Sequence, residues 1–233
     1  MAYSVLKRGA DLVLSVVAIV VLSPVFVLIT LILRFSGEGE VFYRQQRIGF
    51  QNKSFAMWKF VTMLKDSPNI GTRDISIEGD PRVLPVGRWL RKTKLNEIPQ
   101  LFNIVRGEMS FVGPRPLLEV SFQALEPTIQ RRIFSVRPGL TGIASVVFRD
   151  ENEIIAESKL GPREGYYRVI LPYKGRLEIW YQEHASFWVD LKIVFLTAWV
   201  VIFPKSRLVF RCFKEIPRCE GLFILTGERG GER

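Results

Sequence analysis

The feature that most constrains this chain is an uncharged stretch near its start. Residues 12–33 contain no Asp, Glu, Lys or Arg. As a helix this stretch would be about 33 Å long, enough to cross a hydrocarbon core of about 30 Å. The apolar region of a cleavable signal peptide is shorter and ends in small residues, whereas Arg34 follows here. The stretch therefore predicts a membrane anchor rather than a signal peptide or a soluble core helix.

Ser23 and Pro24, near the middle of this stretch, predict an irregular helix. Pro24 has no N–H and crowds the carbonyl one turn earlier, so a kink or break is expected unless Ser23 or water hydrogen-bonds that carbonyl. Basic residues flank both ends, with Lys7 and Arg8 before and Arg34 after. If they mark the cytoplasmic side, the segment is a bent re-entrant helix; a single-pass helix with a tolerated proline is the alternative.

Charge and hydropathy restrict the class of protein. Lys and Arg number 33 against 23 Asp and Glu, a net charge of +10, while 48% of residues are hydrophobic and the mean hydropathy is +0.14. This combination excludes disorder and collagen-like repeats, and favours membrane contact over a soluble nucleic-acid-binding surface. Cys212 and Cys219 fit reduced thiols better than a disulfide scaffold, and a single histidine, His184, argues against a Cys/His zinc site.

The composition divides the chain into three parts. We expect a membrane helix, re-entrant or single-pass, at residues 1–36, a compact cytosolic domain at 37–203 and a basic, surface-exposed C-terminal tail at 204–233. Apolar residues 193–203 are too few to span a bilayer and predict a helix in the membrane interface or against the anchor, with an ordinary core helix as the alternative. The expected fold class is α/β: a mostly helical small domain with a short β element, an N-terminal membrane helix and interfacial amphipathic helices.

Periodicity predicts the elements near the middle of the domain. Residues 41–50 and 54–64 alternate apolar and polar side chains, which is typical of strands. Residues 95–105 carry apolar side chains at helical spacing, and Gly107 is a stop signal just beyond them.

A basic segment precedes this predicted helix. Residues 81–95 contain several Lys and Arg residues, Arg88 among them, and no acid. The segment leads to Asn96, which we expect to N-cap the helix, and to Glu97 in its first turn. A helix start with free N–H groups and nearby cations suits a diphosphate, although a cap and a solvated basic face would also account for these residues.

Two further turns each place an arginine beside a proline. Arg115 lies in the sequence GPRP, and Arg137 lies in RPGLTG. Because proline restricts the backbone, these guanidinium groups would lose little freedom on binding phosphate oxygens. Arginines in turns are also often solvated, and Arg137 can equally serve to stabilise its own turn.

Together these motifs resemble one family. RKTKLNEIPQL at residues 91–101, followed by GEMSFVGPRP and RPGLTG, is similar to the bacterial sugar transferases, the monotopic polyprenyl-phosphate phosphoglycosyl transferases. The resemblance runs from about residue 3 to residue 203 and includes Ser23-Pro24, residues 59–63 and residues 190–192. So many motifs in the same order argue against a chance match.

The resemblance implies an enzyme at the cytoplasmic face of the bacterial inner membrane that initiates the assembly of a glycan. It would move a sugar-1-phosphate from a nucleotide diphosphate sugar, with UDP as the expected carrier, to undecaprenyl phosphate. It further implies that residues 1–36 form a re-entrant membrane helix bent at Ser23 and Pro24, and that an adjacent Asp-Glu pair carries out the chemistry. The aspartate forms a covalent phospho-sugar intermediate with release of UMP, and the glutamate binds Mg²⁺.

Carried onto this chain, the resemblance assigns Asn96 and Glu97 as the catalytic pair, with Glu97 as the Mg²⁺ ligand. The residues expected to bind substrate are Lys59, Arg88, Arg115 and Arg137. The implied partners are the nucleotide sugar, undecaprenyl phosphate and inner-membrane lipid, and not nucleic acid. Downstream glycosyltransferases and a second copy of the chain, as a homodimer, are further candidates. We expect the contacts that select the sugar in residues 148–174.

The chain departs from the family pattern at two positions. Asn96 stands where the family has its nucleophilic aspartate, and Val61 stands where an arginine is common. A neutral carboxamide cannot act as an anionic nucleophile, so the two-step mechanism does not carry over directly. Four interpretations stay open: Glu97 as nucleophile, direct attack by the lipid phosphate, a pseudoenzyme that binds partners at the membrane surface, or an engineered substitution at Asn96.

Overall fold

The computed structural model describes residues 2–69, 79–149, 151, 154, 160–204 and 206–217. In this part the chain is mostly helical, with two small two-stranded sheets. The strands are β1 (Phe42–Ile48), β2 (Ser54–Phe60), β3 (Ser110–Val112) and β4 (Gly139–Thr141). The α-helices are α1 (Ala2–Arg34), α2 (Pro85–Lys92), α3 (Gln100–Arg106), α4 (Glu119–Gln123), α5 (Pro127–Ile133), α6 (Ile143–Val147), α7 (Pro162–Gly165), α8 (Leu171–His184), α9 (Phe187–Ile202) and α10 (Leu208–Cys212). The predicted small, mostly helical domain with a short sheet and a long apolar N-terminal helix is confirmed.

Helix α1 packs against the domain along its whole length. At its start, the Tyr3 hydroxyl donates a hydrogen bond to Asp190 of α9 at 2.7 Å. Near its end, Ile29 and Leu33 are buried against Phe60 of β2. Its middle packs on β2 and α3, where the cluster contains Ala18, Ile19, Leu22, Met57, Leu101 and Ile104. The opposite face is exposed, and the helix is long and apolar enough to cross a membrane.

The backbone of α1 is helical through Pro24, so the expected break is absent. Pro24 cannot donate to the carbonyl of Val20, but the Ser23 hydroxyl donates to that carbonyl at 2.8 Å. The predicted compensation by Ser23 is confirmed, and it explains why the helix continues. A bend at this point stays a prediction.

The two predicted strand segments form the antiparallel pair β1–β2, with Phe42 opposite Phe60 and Tyr43 opposite Lys59. Successive side chains of a strand point to opposite faces. Phe60 packs against α1, and its neighbour Lys59, on the opposite face of the strand, lines a cleft to which α1 also contributes. The hairpin thus positions the ammonium group of Lys59 at the cleft.

The two arginine-proline turns meet each other as the parallel pair β3–β4. A Cβ added to Gly113 would lie 2.3 Å from the Arg137 carbonyl oxygen, and one added to Gly139 would lie 2.2 Å from the Gly113 nitrogen. A Cβ on Gly142 would lie 2.3 Å from the Gly113 carbonyl oxygen. Glycine is needed at these positions because the two backbones approach too closely for any side chain.

Helix α9 begins at Phe187, earlier than predicted, where the Ser186 hydroxyl caps it by accepting a hydrogen bond from the Val189 N–H. Ile193 and Leu196 are fully buried. The other face of α9 is exposed and carries large apolar side chains, namely Trp188, Leu191, Val194, Phe195 and Val201. The predicted helix is confirmed. One of its faces is buried in the domain, and the other is exposed.

The segment after α9 is exposed in part, at Arg207, Phe210, Arg211, Lys214 and Glu215, but within residues 206–217 the predicted surface tail also contributes side chains to the core. Val209, Phe213 and Ile216 are buried in the main core, and the Phe213 ring lies 5.3 Å from that of Trp180. Apolar side chains alternate with basic ones here, and the core takes up the apolar set. Cys212 carries a free thiol. Residues 218–233, with Cys219, lie outside the described residues.

The close approach of β3 and β4 predicts that Gly139→Ala lowers the free energy of unfolding by about 1–3 kcal/mol, since its Cβ would overlap backbone atoms. Thermal unfolding of the purified protein measures this change. Gly9→Ala is the matched control, because a Cβ on Gly9 meets no atom within 4 Å. Its helical position favours alanine by up to about 1 kcal/mol. Equal stability of the two variants would contradict the proposed constraint.

Candidate functional site

Asn96 and Glu97 lie in a 3-10 turn, Leu95–Glu97, ahead of α3. Helix α3 begins only at Gln100, with Pro99 as its N-cap residue and no side-chain cap. The predicted N-cap role of Asn96 is therefore wrong. Several of the backbone donors expected to bind a diphosphate are occupied, because the Glu97 N–H donates to the Lys94 carbonyl and the Ile98 N–H donates to the Leu95 carbonyl.

Glu97 forms an ion pair with Arg115, which projects from the loop after β3. Arg115 Nη2 donates to Glu97 Oε1 at 2.8 Å, and the two side chains are 35% and 12% exposed. Burial alone would raise the pKa of Glu97, but the charges of Arg115, Lys59 and Lys94 hold it well below its usual range. Glu97 is therefore an anion at neutral pH, surrounded by cations.

The cations around Glu97 are themselves crowded. Burial, followed by the charge of Arg47, lowers the pKa of Lys59 well below its usual range, and Glu97 opposes this shift. Burial and then the charge of Arg115 lower the pKa of Arg47 to about 10. Such shifts indicate a site with excess positive charge. An anionic ligand would reduce the repulsion between its cations.

These side chains line an open cleft of about 1850 Å³. Basic residues on its lining outnumber acidic ones, and the lining also includes apolar residues Ala18 and Leu22 of α1 and Val194 and Val201 of α9. Sites for a single small molecule are usually about 300–1,000 Å³. The cleft therefore has room for two substrates, one of them partly apolar.

The structure separates the predicted substrate residues into two groups. Lys59 and Arg115 line the cleft with Glu97, whereas Arg88 and Arg137 are not among the described residues that line it. Arg88 is exposed on α2. Arg137 Nε donates to the Gly107 carbonyl at 2.8 Å, and its guanidinium lies 4.9 Å from the Phe50 ring centre. These contacts match the turn-stabilising alternative for Arg137; substrate contact by Arg88 and Arg137 stays a prediction.

Sequence reasoning missed a further carboxyl group in the cleft, Glu178 of α8, which is hydrogen-bonded to Arg115. Its Oε1 accepts a hydrogen bond from the Arg115 N–H at 3.3 Å. Burial raises the pKa of Glu178 to about 8. The available signal was an acidic residue in a mostly apolar helix segment, where Leu177, Glu178, Trp180 and Tyr181 are all buried.

Asn96 offers an oxygen atom to the site. The residue is 8% exposed, and its Oδ1 is buried with no hydrogen-bond partner in the part of the chain described. Within that part, no group of three or more His, Cys, Asp or Glu side chains converges on a point. Amide and carboxylate oxygens suit Mg²⁺, which commonly takes few protein ligands and completes its shell with phosphate and water. Asn96 and Glu97 therefore fit a Mg²⁺ ion that arrives with a phosphate ligand.

A sequence model of a known family, described as bacterial sugar transferase, matches residues 2–204 of this chain. The chain belongs to the bacterial sugar transferase family. The match covers α1, the cleft and α9, so the family includes the membrane-type helix as well as the site.

Curated relatives of this sugar transferase carry related names. It is 34% identical over 207 residues to the undecaprenyl-phosphate glucose phosphotransferase of Komagataeibacter xylinus, a match covering 86% of this chain and 36% of that protein. It is 33% identical over 196 residues to the UDP-glucose:undecaprenyl-phosphate glucose-1-phosphate transferase of Escherichia coli (strain K12), covering 82% and 39%. For the exopolysaccharide production protein ExoY of Sinorhizobium fredii, identity is 37% over 161 residues, covering 62% and 70%. The chain thus spans less than half the length of the first two relatives.

The charge balance of this sugar transferase site predicts the effect of Glu97→Gln. We expect the free energy of unfolding to fall by about 1–3 kcal/mol, because Arg115 and Lys59 lose the anion that offsets their charge. Inorganic phosphate should stabilise the variant more than the wild type, since it supplies that charge and binds the folded state. Thermal unfolding at increasing phosphate measures both effects. Glu183→Gln, which breaks an exposed ion pair with Arg132, is the control; an equal phosphate response in all three proteins would contradict the prediction.

Proposed function

We propose that this chain transfers a sugar-1-phosphate from a UDP-sugar to undecaprenyl phosphate, at the cytoplasmic face of the bacterial inner membrane. The observation that carries this proposal is the Glu97–Arg115 pair beside Lys59, in a cleft whose lining continues onto the apolar residues of α1. Cations suit the diphosphate of the donor, and apolar walls suit a polyprenyl chain. The names of the relatives, which act on undecaprenyl phosphate, support the same assignment.

The chemistry we propose is a single direct displacement. A phosphate oxygen of undecaprenyl phosphate bonds to the phosphorus that carries the sugar, and the bond from that phosphorus to the bridging oxygen of the UMP group breaks. The electron pair leaves with UMP, and no proton has to be moved. Asn96 has no charge with which to attack, and the Glu97 carboxylate is engaged by Arg115. Arg115 and Lys59 would hold phosphate oxygens in line and offset their charge.

Glu97 and the amide oxygen of Asn96 are the residues that would hold Mg²⁺. The ion would neutralise phosphate charge when it is bound with the diphosphate. In this arrangement Asn96 keeps a ligand oxygen at the position without adding a second negative charge beside Glu97. The departure from the family pattern is then compatible with an active enzyme.

We further propose that α1 is bent at Pro24 in the membrane, so that it enters one leaflet and returns. A helix of this length measures about 50 Å, yet one domain contacts both of its ends, Tyr3 through Asp190 and Leu33 through Phe60. A helix that crossed the bilayer would need parts of that domain on both sides of the membrane. The exposed apolar face of α9 would rest in the same leaflet.

The transfer reaction predicts release of UMP from a UDP-sugar only when undecaprenyl phosphate and Mg²⁺ are present. Glu97→Gln should lower the rate at least about 100-fold, because the phosphates lose the group that orients Arg115 and holds Mg²⁺.

Direct displacement also predicts that mass spectrometry of the wild type with donor alone detects no phospho-sugar adduct. A covalent adduct on Glu97 would contradict the direct route but keep the reaction class. If no donor gives UMP while Asn96→Asp does, the wild-type chain is a pseudoenzyme.

The re-entrant arrangement predicts that both ends of α1 face the cytoplasm. Single cysteines introduced by Ser4→Cys and Phe35→Cys, in a chain with Cys212→Ser and Cys219→Ser, should resist a membrane-impermeant maleimide in intact spheroplasts. Both should react in inverted vesicles, because both positions are exposed beside the domain. Labelling of position 4 from the periplasmic side would contradict the re-entrant helix and indicate a single-pass anchor.

A further inference from the structure

Glu178, the carboxyl group next to the Arg115 backbone, has one oxygen with a hydrogen bond and, within the described part of the chain, one without. Glu178 is 3% exposed and lines the cleft with Glu97 and Arg115. Its Oε1 accepts the hydrogen bond from the Arg115 N–H. Its Oε2 is buried with no hydrogen-bond partner among the residues that the structure describes. Buried polar atoms normally have a partner, so an unpaired one on the wall of a cleft points to a ligand.

The surroundings of Glu178 favour its neutral form. Burial raises its pKa to about 8, although the Arg115 N–H and the charges of Lys174 and Arg115 act in the opposite direction. Helix α6, which packs on α8, contributes no ionisable side chain, and Arg132 of α5 is paired with Glu183. At neutral pH the carboxyl group therefore carries a proton and can donate one hydrogen bond.

A neutral carboxyl group suits a cleft that receives phosphates. Phosphate oxygens only accept hydrogen bonds at neutral pH, so an O–H donor complements them, whereas a carboxylate would repel them. We propose that Glu178 is a phosphate-binding residue that donates a hydrogen bond from Oε2 to a phosphate oxygen of a substrate. This inference rests on the proposed function, which brings two phosphate groups to the cleft, the donor diphosphate and the lipid phosphate.

Equilibrium binding to the purified full chain in detergent tests the proposal and identifies the source of the phosphate. The probes are UDP with Mg²⁺ and undecaprenyl phosphate. Glu178→Gln keeps an acceptor for the Arg115 N–H and a neutral donor for the ligand, while Glu178→Met keeps only the length of the side chain. At pH 7 the Gln variant should bind like the wild type, and the Met variant should bind one probe about tenfold or more weakly. The probe that is weakened is the one that contacts Glu178.

The pH dependence separates this role from support of the Arg115 loop. Between about pH 7 and 9.5 the wild type should lose affinity for the affected probe, because ionisation of Glu178 removes the donor and adds a negative charge. The Gln variant does not ionise and should not show this loss. Lys59 and the other cleft cations are present in both proteins, so the difference between the two curves reports Glu178.

The control is Glu183→Gln, the same substitution on the exposed side of α8, which should bind both probes like the wild type. Superimposed pH curves for wild type and Glu178→Gln would overturn the proposal, even if Glu178→Met fails to fold. Wild-type affinity of a folded Met variant for both probes would also overturn it. The binding measurement does not depend on turnover. If both probes bind as expected but no UMP is released, only the proposed transfer reaction is contradicted. If the enzyme is active but the Glu178 variants bind both probes like the wild type, only the proposed role of Glu178 is contradicted.

Discussion

The candidate site depends on one arginine held from two directions. Arg115 donates through its guanidinium to Glu97 and through its backbone N–H to Glu178. The two carboxyl groups have opposite pKa shifts, because the charges of three cations outweigh the effect of burial at Glu97, whereas burial outweighs the effect of Lys174 and Arg115 at Glu178. One is therefore an anion and the other neutral at the same pH, a division of roles that environments impose on chemically similar side chains. The result is a fixed cation beside one negative charge and one hydrogen-bond donor.

Close packing of two loops gives Arg115 its position. Gly113, Gly139 and Gly142 let β3 and β4 approach until their backbones touch, which fixes the chain two residues before Arg115. Rigid turns around both arginines were expected to bind phosphate directly. Among the described residues Arg115 lines the cleft and Arg137 does not; Arg137 donates to the Gly107 carbonyl at the end of α3, and its contact with substrate stays a prediction. Motifs that look equivalent in sequence thus have different surroundings in the fold.

Local patterns predicted the elements whose cause is local. The β1–β2 hairpin follows from the alternation of apolar and polar residues, and α3 ends at Gly107, whose φ is +82°. The Val20 carbonyl, which Pro24 leaves without a donor, is hydrogen-bonded by the adjacent Ser23 hydroxyl. Features that depend on distant residues were missed. The N-cap prediction for Asn96 failed because Lys94 turns the chain early in a left-handed conformation and α3 starts four residues later than Asn96. Burial of Val209 and Phe213 required a core that only the folded helices create.

Polar contacts, rather than hydrophobic ones, fix how the apolar helix meets the site. Arg8 donates to the carbonyls of Ile104 and Val105 at the end of α3, and Asp11 accepts from the Phe111 N–H of β3. Apolar contacts alone permit a helix to slide, because lipid is as good a neighbour as another apolar surface, whereas charge-assisted hydrogen bonds specify one register. These contacts join α1 to the two elements that follow Glu97 and precede Arg115. Under the proposed function, the depth of the helix in the leaflet would therefore set the height of the Glu97–Arg115 pair, and a lipid phosphate at the membrane surface could meet a donor that arrives from water.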